Sequence, residues 1–177
     1  MRERELPLHE KSIVFVGFMG VGKTTIGKLV AEKLNRDFID VDEVIEKEFG
    51  MTPREIFEAY GEKTFREREK ALSISLSKQP SQVISLGGGA FLNEEIRQAC
   101  LENSHVIFLD LSWEAWKERL SLILDSRPVL QNKSLEEIEE LFYSRQKAYS
   151  LSHIKVSTDH LNEEEAANHI MESLKLS

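Results

Sequence analysis

The sequence predicts an α/β fold of three layers, α/β/α, around a central five-stranded parallel sheet. Two observations predict it. Short apolar runs alternate with amphipathic helical stretches through the chain, which implies right-handed crossovers and a sheet covered on both faces. Between the first run and the first helix stands Gly17-Phe18-Met19-Gly20-Val21-Gly22-Lys23-Thr24, which fits the phosphate-binding pattern G-x-x-x-x-G-K-[ST] without a mismatch.

At 177 residues the chain suits one well-buried core, so residues 1–177 are expected to form one domain. A formal net charge of -8 argues against nucleic acid and anionic membrane as partners, because both are polyanions. An anionic small ligand then needs locally placed cations. The single Cys100 has no partner for an internal disulfide, and its helical context suits a small buried thiol. No apolar run reaches transmembrane length, and Met1 to Lys11 is charged without an apolar signal core, so a cytoplasmic location is expected.

Met1 to Glu10 reads as a loose lead-in. Ser12 to Val16 is the first strand, and Thr24 to Leu34 is the first helix. In the loop between them, Gly17, Gly20 and Gly22 free the backbone to bring N–H groups close to phosphate oxygens. Lys23 can reach the β and γ phosphates, and the Thr24 hydroxyl can ligate Mg²⁺. The competing reading is a glycine-rich turn without a ligand, but a bare turn needs neither the Lys nor the hydroxyl in register.

Phe38-Ile39-Asp40-Val41-Asp42 alternates apolar and acidic as a strand does, so Asp40 and Asp42 are expected on one face at its carboxyl end. Ligands of open parallel sheets bind at that end. One carboxylate would serve the metal and the other an acceptor hydroxyl, or both merely favour the N-terminus of the helix from Glu43 to Phe49. Gly50 ends that helix. Thr52-Pro53-Arg54-Glu55 opens the next with a capping box, and Gly61 closes it. Glu62 to about Leu76 is a charged helix with Phe65, Leu72 and Leu76 as apolar contacts, and pattern alone makes Arg66 and Arg68 solvated side chains or helix ion pairs.

Gln82 to Leu86 is the third strand and runs into Gly87-Gly88-Gly89. Three glycines either face a ligand or let a helix pack closely. Asn93 caps a short helix through Cys100, His105 to Asp110 is the fourth strand, and Ser112 caps a helix whose Trp113 and Trp116 share a packing face. From Ser121 to Lys133 the periodicity weakens around Arg127, which fits either a flap over the transferred phosphate or a surface excursion. Ser134 opens another helix with a capping box and carries it to about Ala148. His153 to Ser157 is the fifth strand, and Asn162 caps a closing helix to about Leu174. The five histidines show no metal-ligand spacing.

Taken together, the phosphate loop, Phe38-Ile39-Asp40-Val41-Asp42 with Ile45-Glu46, Gly61-Glu62 with Phe65-Arg66, Ser85-Leu86-Gly87-Gly88-Gly89, Arg127-Pro128-Val129-Leu130, and Arg145 with Tyr149 resemble the shikimate kinases. The resemblance implies a P-loop fold of the nucleoside-monophosphate-kinase type, with a helical region at about 42–76 holding shikimate and a mobile lid at about 121–134. It implies that the ATP γ-phosphoryl group passes to the shikimate 3-hydroxyl, a step toward chorismate and the aromatic amino acids. Gly20, Val21, Gly22, Lys23, Thr24 and Thr25 would bind ATP phosphates, with Thr24 and Asp40 serving Mg²⁺ and Arg127 closing over the phosphates. Asp42 would hold the acceptor hydroxyls and take the proton or orient the hydroxyl. Arg66 and Arg145 would grip the carboxylate beside Gly87, Gly88 and Gly89, and Arg119 is a candidate to stack on adenine. The implied partners are ATP and shikimate, acting on a monomer.

Elementary chemistry agrees, because an acidic protein that binds a small anionic hydroxy acid needs paired guanidinium groups. A gluconate kinase would share the phosphate loop. A GTP-binding switch is disfavoured by the lack of a D-x-x-G element and of the Asp of N-K-x-D after Asn132-Lys133, and a binding-only regulator would not need Asp42.

Overall fold

The computed structural model describes residues 10–120 and 132–175. Five strands, β1 (Ile13–Val16), β2 (Asp37–Asp40), β3 (Gln82–Ser85), β4 (His105–Asp110) and β5 (Ile154–Ser157), form one sheet in the order β2-β3-β1-β4-β5. Every pairing is parallel. The expected five-stranded parallel sheet is therefore present. β1 lies at its centre because all four of its residues, Ile13, Val14, Phe15 and Val16, are apolar and fit a strand buried on both faces.

Around the sheet lie α1 (Lys23–Leu34), α2 (Val41–Phe49), α3 (Pro53–Tyr60), α4 (Glu62–Ser77), α5 (Glu94–Asn103), α6 (Trp113–Lys117), α7 (Leu135–Tyr149) and α8 (Glu163–Lys175). Their boundaries follow the capping residues read from the sequence. Thr52 accepts from the Glu55 N–H with Pro53 in the first turn, Asn93 accepts from Ile96, and Ser112 accepts from Ala115. Ser134 and Glu137 form a complete capping box, and Asn162 and Glu165 bond each other's backbone N–H in the same way.

One boundary differs from the sequence reading. β2 stops at Asp40, and Asp42 lies in the first turn of α2 instead of sharing a strand face with Asp40. The cause is the Asp40 side chain, which accepts from the Glu43 N–H at 3.2 Å and starts the helix two residues early.

Trp113 and Trp116 are packing residues, as their spacing suggests. They stack at 5.3 Å, and Phe18 meets Trp116 and Phe142 edge to face at 5.1 Å each. The Trp116 indole donates to the Met19 carbonyl at 2.5 Å, so this cluster fixes the phosphate loop from below. Cys100 is buried, and burial pushes its thiol up to about 12, which suits an inert packing residue. Among the described residues no helix is long and apolar enough to cross a membrane.

Candidate active site

The phosphate loop joins β1 to α1, with Gly20 and Gly22 at φ of 77° and 102°. These are left-handed conformations that a side chain would strain, so the loop curls tightly enough to aim N–H groups at one point in front of α1. Val21 turns its side chain into the core, where it is 2% exposed, leaving its backbone to line the loop. Lys23 lies back across the loop, donating to the Gly17 carbonyl at 2.5 Å and to the Phe18 carbonyl at 3.2 Å. The Thr24 hydroxyl donates to Asp40 Oδ2 at 2.9 Å.

A cleft of about 420 Å³ opens above this loop. Gly20, Gly22, Lys23, Thr24 and Thr25 form one side, and Asp40 and Asp42 stand across from them with Gly87 and Gly88. The shortened β2 thus leaves both carboxylates at the cleft, one from a strand end and one from a helix start. Arg119 borders the cleft as well, donating to the Gly20 carbonyl at 3.3 Å, and also lines a neighbouring hollow formed by Leu111–Glu118 residues and the turn at 158–161.

The triple glycine is the crossing point of the acceptor side. A β-carbon on Gly87 would meet the Asp42 carboxylate at 2.8 Å, one on Gly88 would meet Arg145 Nη1 at 3.2 Å, and one on Gly89 would meet Arg66 Nη1 at 3.4 Å. Asp42, Arg66 and Arg145 therefore converge from α2, α4 and α7 on one three-residue turn. Arg66 is held by Glu69 at 2.9 Å and lies over the Phe65 ring at 5.5 Å. It is a helix ion pair, as its spacing implies, and it also faces the glycines. Arg68 instead makes two 2.6 Å bonds to Glu48, tying α4 to α2 on the surface.

Glu69 was not singled out by the sequence reading. It is 2% exposed and stands 3.1 Å from a β-carbon built on Gly87, beside Asp42 and Arg66. Burial raises its pKa, the Arg66 charge opposes that, and the Asp42 charge adds to it. A signal existed: Glu69 is four residues after Phe65 and seven before Leu76, so it interrupts the apolar stripe of α4. Arg145 is 6% exposed, and its Nε and Nη1 have no hydrogen-bond partner among the described residues. Burial lowers its pKa, and the Tyr149 hydroxyl beside it opposes that. Arg127 lies outside the described residues, as does most of the expected lid.

The sequence model of the shikimate kinase family matches residues 19–175. This chain belongs to the shikimate kinase family. A shikimate kinase of Bacillus pumilus (strain SAFR-032) is 54% identical, the alignment covering 98% of this chain and 94% of the relative. The structure of a shikimate kinase from Acinetobacter baumannii in complex with shikimate overlays with a TM-score of 0.88 at 30% identity, covering 95% of this chain and 94% of that one. A gluconokinase from Sinorhizobium meliloti overlays at a TM-score of 0.52 and 14% identity, a likeness of fold alone. Within the shikimate kinase family fold, the triple glycine and its ring of charged side chains occupy the carboxyl end of β3, next to the phosphate loop on β1.

Proposed function

We propose that this chain transfers the γ-phosphoryl group of ATP to the 3-hydroxyl of shikimate, releasing ADP and shikimate 3-phosphate on the route to chorismate and the aromatic amino acids. The observation that carries the proposal is the convergence of Asp42, Arg66 and Arg145 on the triple glycine, one strand away from the phosphate loop. A hydroxy acid seated there would find two guanidinium groups for its carboxylate and, from Asp42 in the cleft that also holds Lys23, a carboxylate for its hydroxyls.

The roles follow from position. Gly20 to Thr25 cradle the ATP phosphates through backbone N–H groups, and Lys23 swings from the Gly17 carbonyl to the phosphates when they bind. Arg119 stacks on the adenine, in the hollow it borders with the 158–161 turn. Thr24 Oγ1 and Asp40 Oδ2, hard oxygen donors 2.9 Å apart, fit Mg²⁺. Bound there, Mg²⁺ supplies charge compensation for the β and γ phosphates. Asp42 orients the acceptor hydroxyl and takes its proton, and its place beside Gly87 keeps its carboxylate directed into the cleft. Arg66 and Arg145 clamp the acid against Gly88 and Gly89, and Arg127 covers the phosphates during transfer. The chain acts as one kinase domain over 1–177, with the acceptor region at about 42–76 and the lid at about 121–134. It works as a cytoplasmic monomer that binds neither nucleic acid nor membrane.

The test is ADP release with Mg²⁺ and ATP, comparing shikimate, gluconate and no acceptor. Stimulation by shikimate alone, with a product heavier by one phosphoryl group, is the expected result. Stimulation by gluconate instead would overturn the acceptor assignment, and ATP binding without stimulation by either would favour a regulator.

A further inference from the structure

We infer that Tyr149 is a positioning residue for the acceptor carboxylate, holding Arg145 and the Gly88 peptide in a receptive arrangement while leaving Arg145 without a direct carboxylate partner among the described residues. This rests on the acceptor reading above.

Tyr149 closes α7, four residues after Arg145 and on the same helix face. It is fully buried, and its hydroxyl donates to the Gly88 carbonyl. The same hydroxyl lies beside the Arg145 guanidinium. Burial pushes the phenol up to about 12, so it remains a neutral donor across physiological pH. Two consequences follow. A trans peptide is planar, so anchoring the Gly88 carbonyl to Tyr149 fixes the Gly89 N–H on the opposite side of that peptide. Among the described residues the guanidinium is also held without a carboxylate ion pair, Glu69 acting on it only at longer range.

That second point sets Arg145 apart from Arg66. A buried arginine is ordinarily paired with a carboxylate, and Glu69 does this for Arg66 at 2.9 Å. In direct contact with Arg145 the described residues offer a hydroxyl and an aromatic face instead, with its guanidinium carbon 5.7 Å from the centroid of Phe18 and the Glu69 charge acting from farther off. A carboxylate partner would fix the side chain equally well but would compete with an incoming acid for the same donors. A neutral hydroxyl and a ring face fix it and leave Nε and Nη1 for the ligand.

Tyr149→Phe keeps the ring and its packing on Phe108 at 5.4 Å while deleting the hydroxyl. Shikimate and its methyl ester, which lacks the carboxylate charge, are compared as acceptors by ADP release in wild type and variant. The variant is expected to raise KM for shikimate about tenfold, hold KM for ATP, and narrow the preference of wild type for shikimate over the ester. Equal losses with acid and ester, or an unchanged shikimate KM, would overturn the inference while leaving the acceptor reading intact. A wild-type protein that ignores shikimate would overturn that reading and this inference with it. Calorimetric titration of the folded variant with shikimate provides a second readout, and wild-type affinity there would also overturn the inference.

Discussion

Gly87 leaves the space into which the Asp42 carboxylate projects: a β-carbon at Gly87 would stand 2.8 Å from Asp42 Oδ1. The same β-carbon would press on Glu69 Oε2 at 3.1 Å. Gly87→Ala should therefore displace the acceptor-side carboxylate by a fraction of an ångström with a modest cost in stability, about 1–3 kcal/mol. Misplacement on that scale should lower kcat/KM for shikimate by about tenfold, short of the roughly hundredfold cost of a full ångström. Steady-state kinetics beside a melting curve check it, and wild-type kinetics would show that Asp42 has room to move.

Asp42→Asn and Lys23→Met should fail in different ways. The first removes the proposed proton acceptor, so kcat should fall by about 10² to 10⁴ while ATP affinity holds. The second removes charge on the phosphate side, so kcat/KM for ATP should fall by about 10² to 10³. ATP titration calorimetry with initial rates separates them. A loss of ATP affinity in Asp42→Asn with normal turnover would reassign that residue.

The two arginines should part in stability though both are proposed to bind the acid. Arg66→Ala leaves Glu69 buried without its cation, at a cost of about 3 kcal/mol. Arg145→Met removes a buried cation that has two nitrogens unpartnered among the described residues, so the melting temperature should hold or rise. Each should weaken shikimate binding by about 30-fold or more. Denaturant unfolding and shikimate calorimetry on both variants check the contrast, and equal destabilisation would count against it.

Acid should loosen the join between β4 and β5. His153 Nδ1 accepts from the Val106 N–H at 3.0 Å, which only the neutral ring can do. Burial, followed by the His105 and Lys11 charges, lowers its pKa from the ordinary 6.5. A lowered folded pKa means stability that is full above pH 6.5 and is lost as pH falls through the folded value. His153→Asn offers an acceptor oxygen that does not titrate, so its melting temperature should fall less steeply from pH 7 to 5. Taking the difference between the two proteins cancels Glu69, whose raised pKa acts in the opposite direction. Parallel curves would remove His153 from the acid response.

Much of the fold was legible because its signals are contiguous. Caps at Thr52, Asn93, Ser112, Ser134 and Asn162 each act within four residues, and β1 and β4 are apolar throughout their centres. The misreading at Asp42 had a local cause too. Alternation over five residues looked like strand, and the Asp40 cap outcompeted it. On the site, pattern alone gave Arg66 as a solvated side chain or a helix ion pair, and the ion pair with Glu69 is what forms. Its second face, toward Gly89, belongs to no local rule.

The sequence by itself determined the phosphate loop, the order of strands and helices, and the residue types that phosphoryl transfer needs. These depend on backbone geometry and hydrophobic period, both short-range properties of the chain. Tertiary structure alone decided that Glu69 is buried beside Asp42, that Phe18 of the loop underlies Arg145, and that Tyr149 meets Gly88 across a separation of 61 residues. Those contacts exist because β3 pairs beside β1 and α7 folds back over the glycine turn, a juxtaposition set by packing of the whole core.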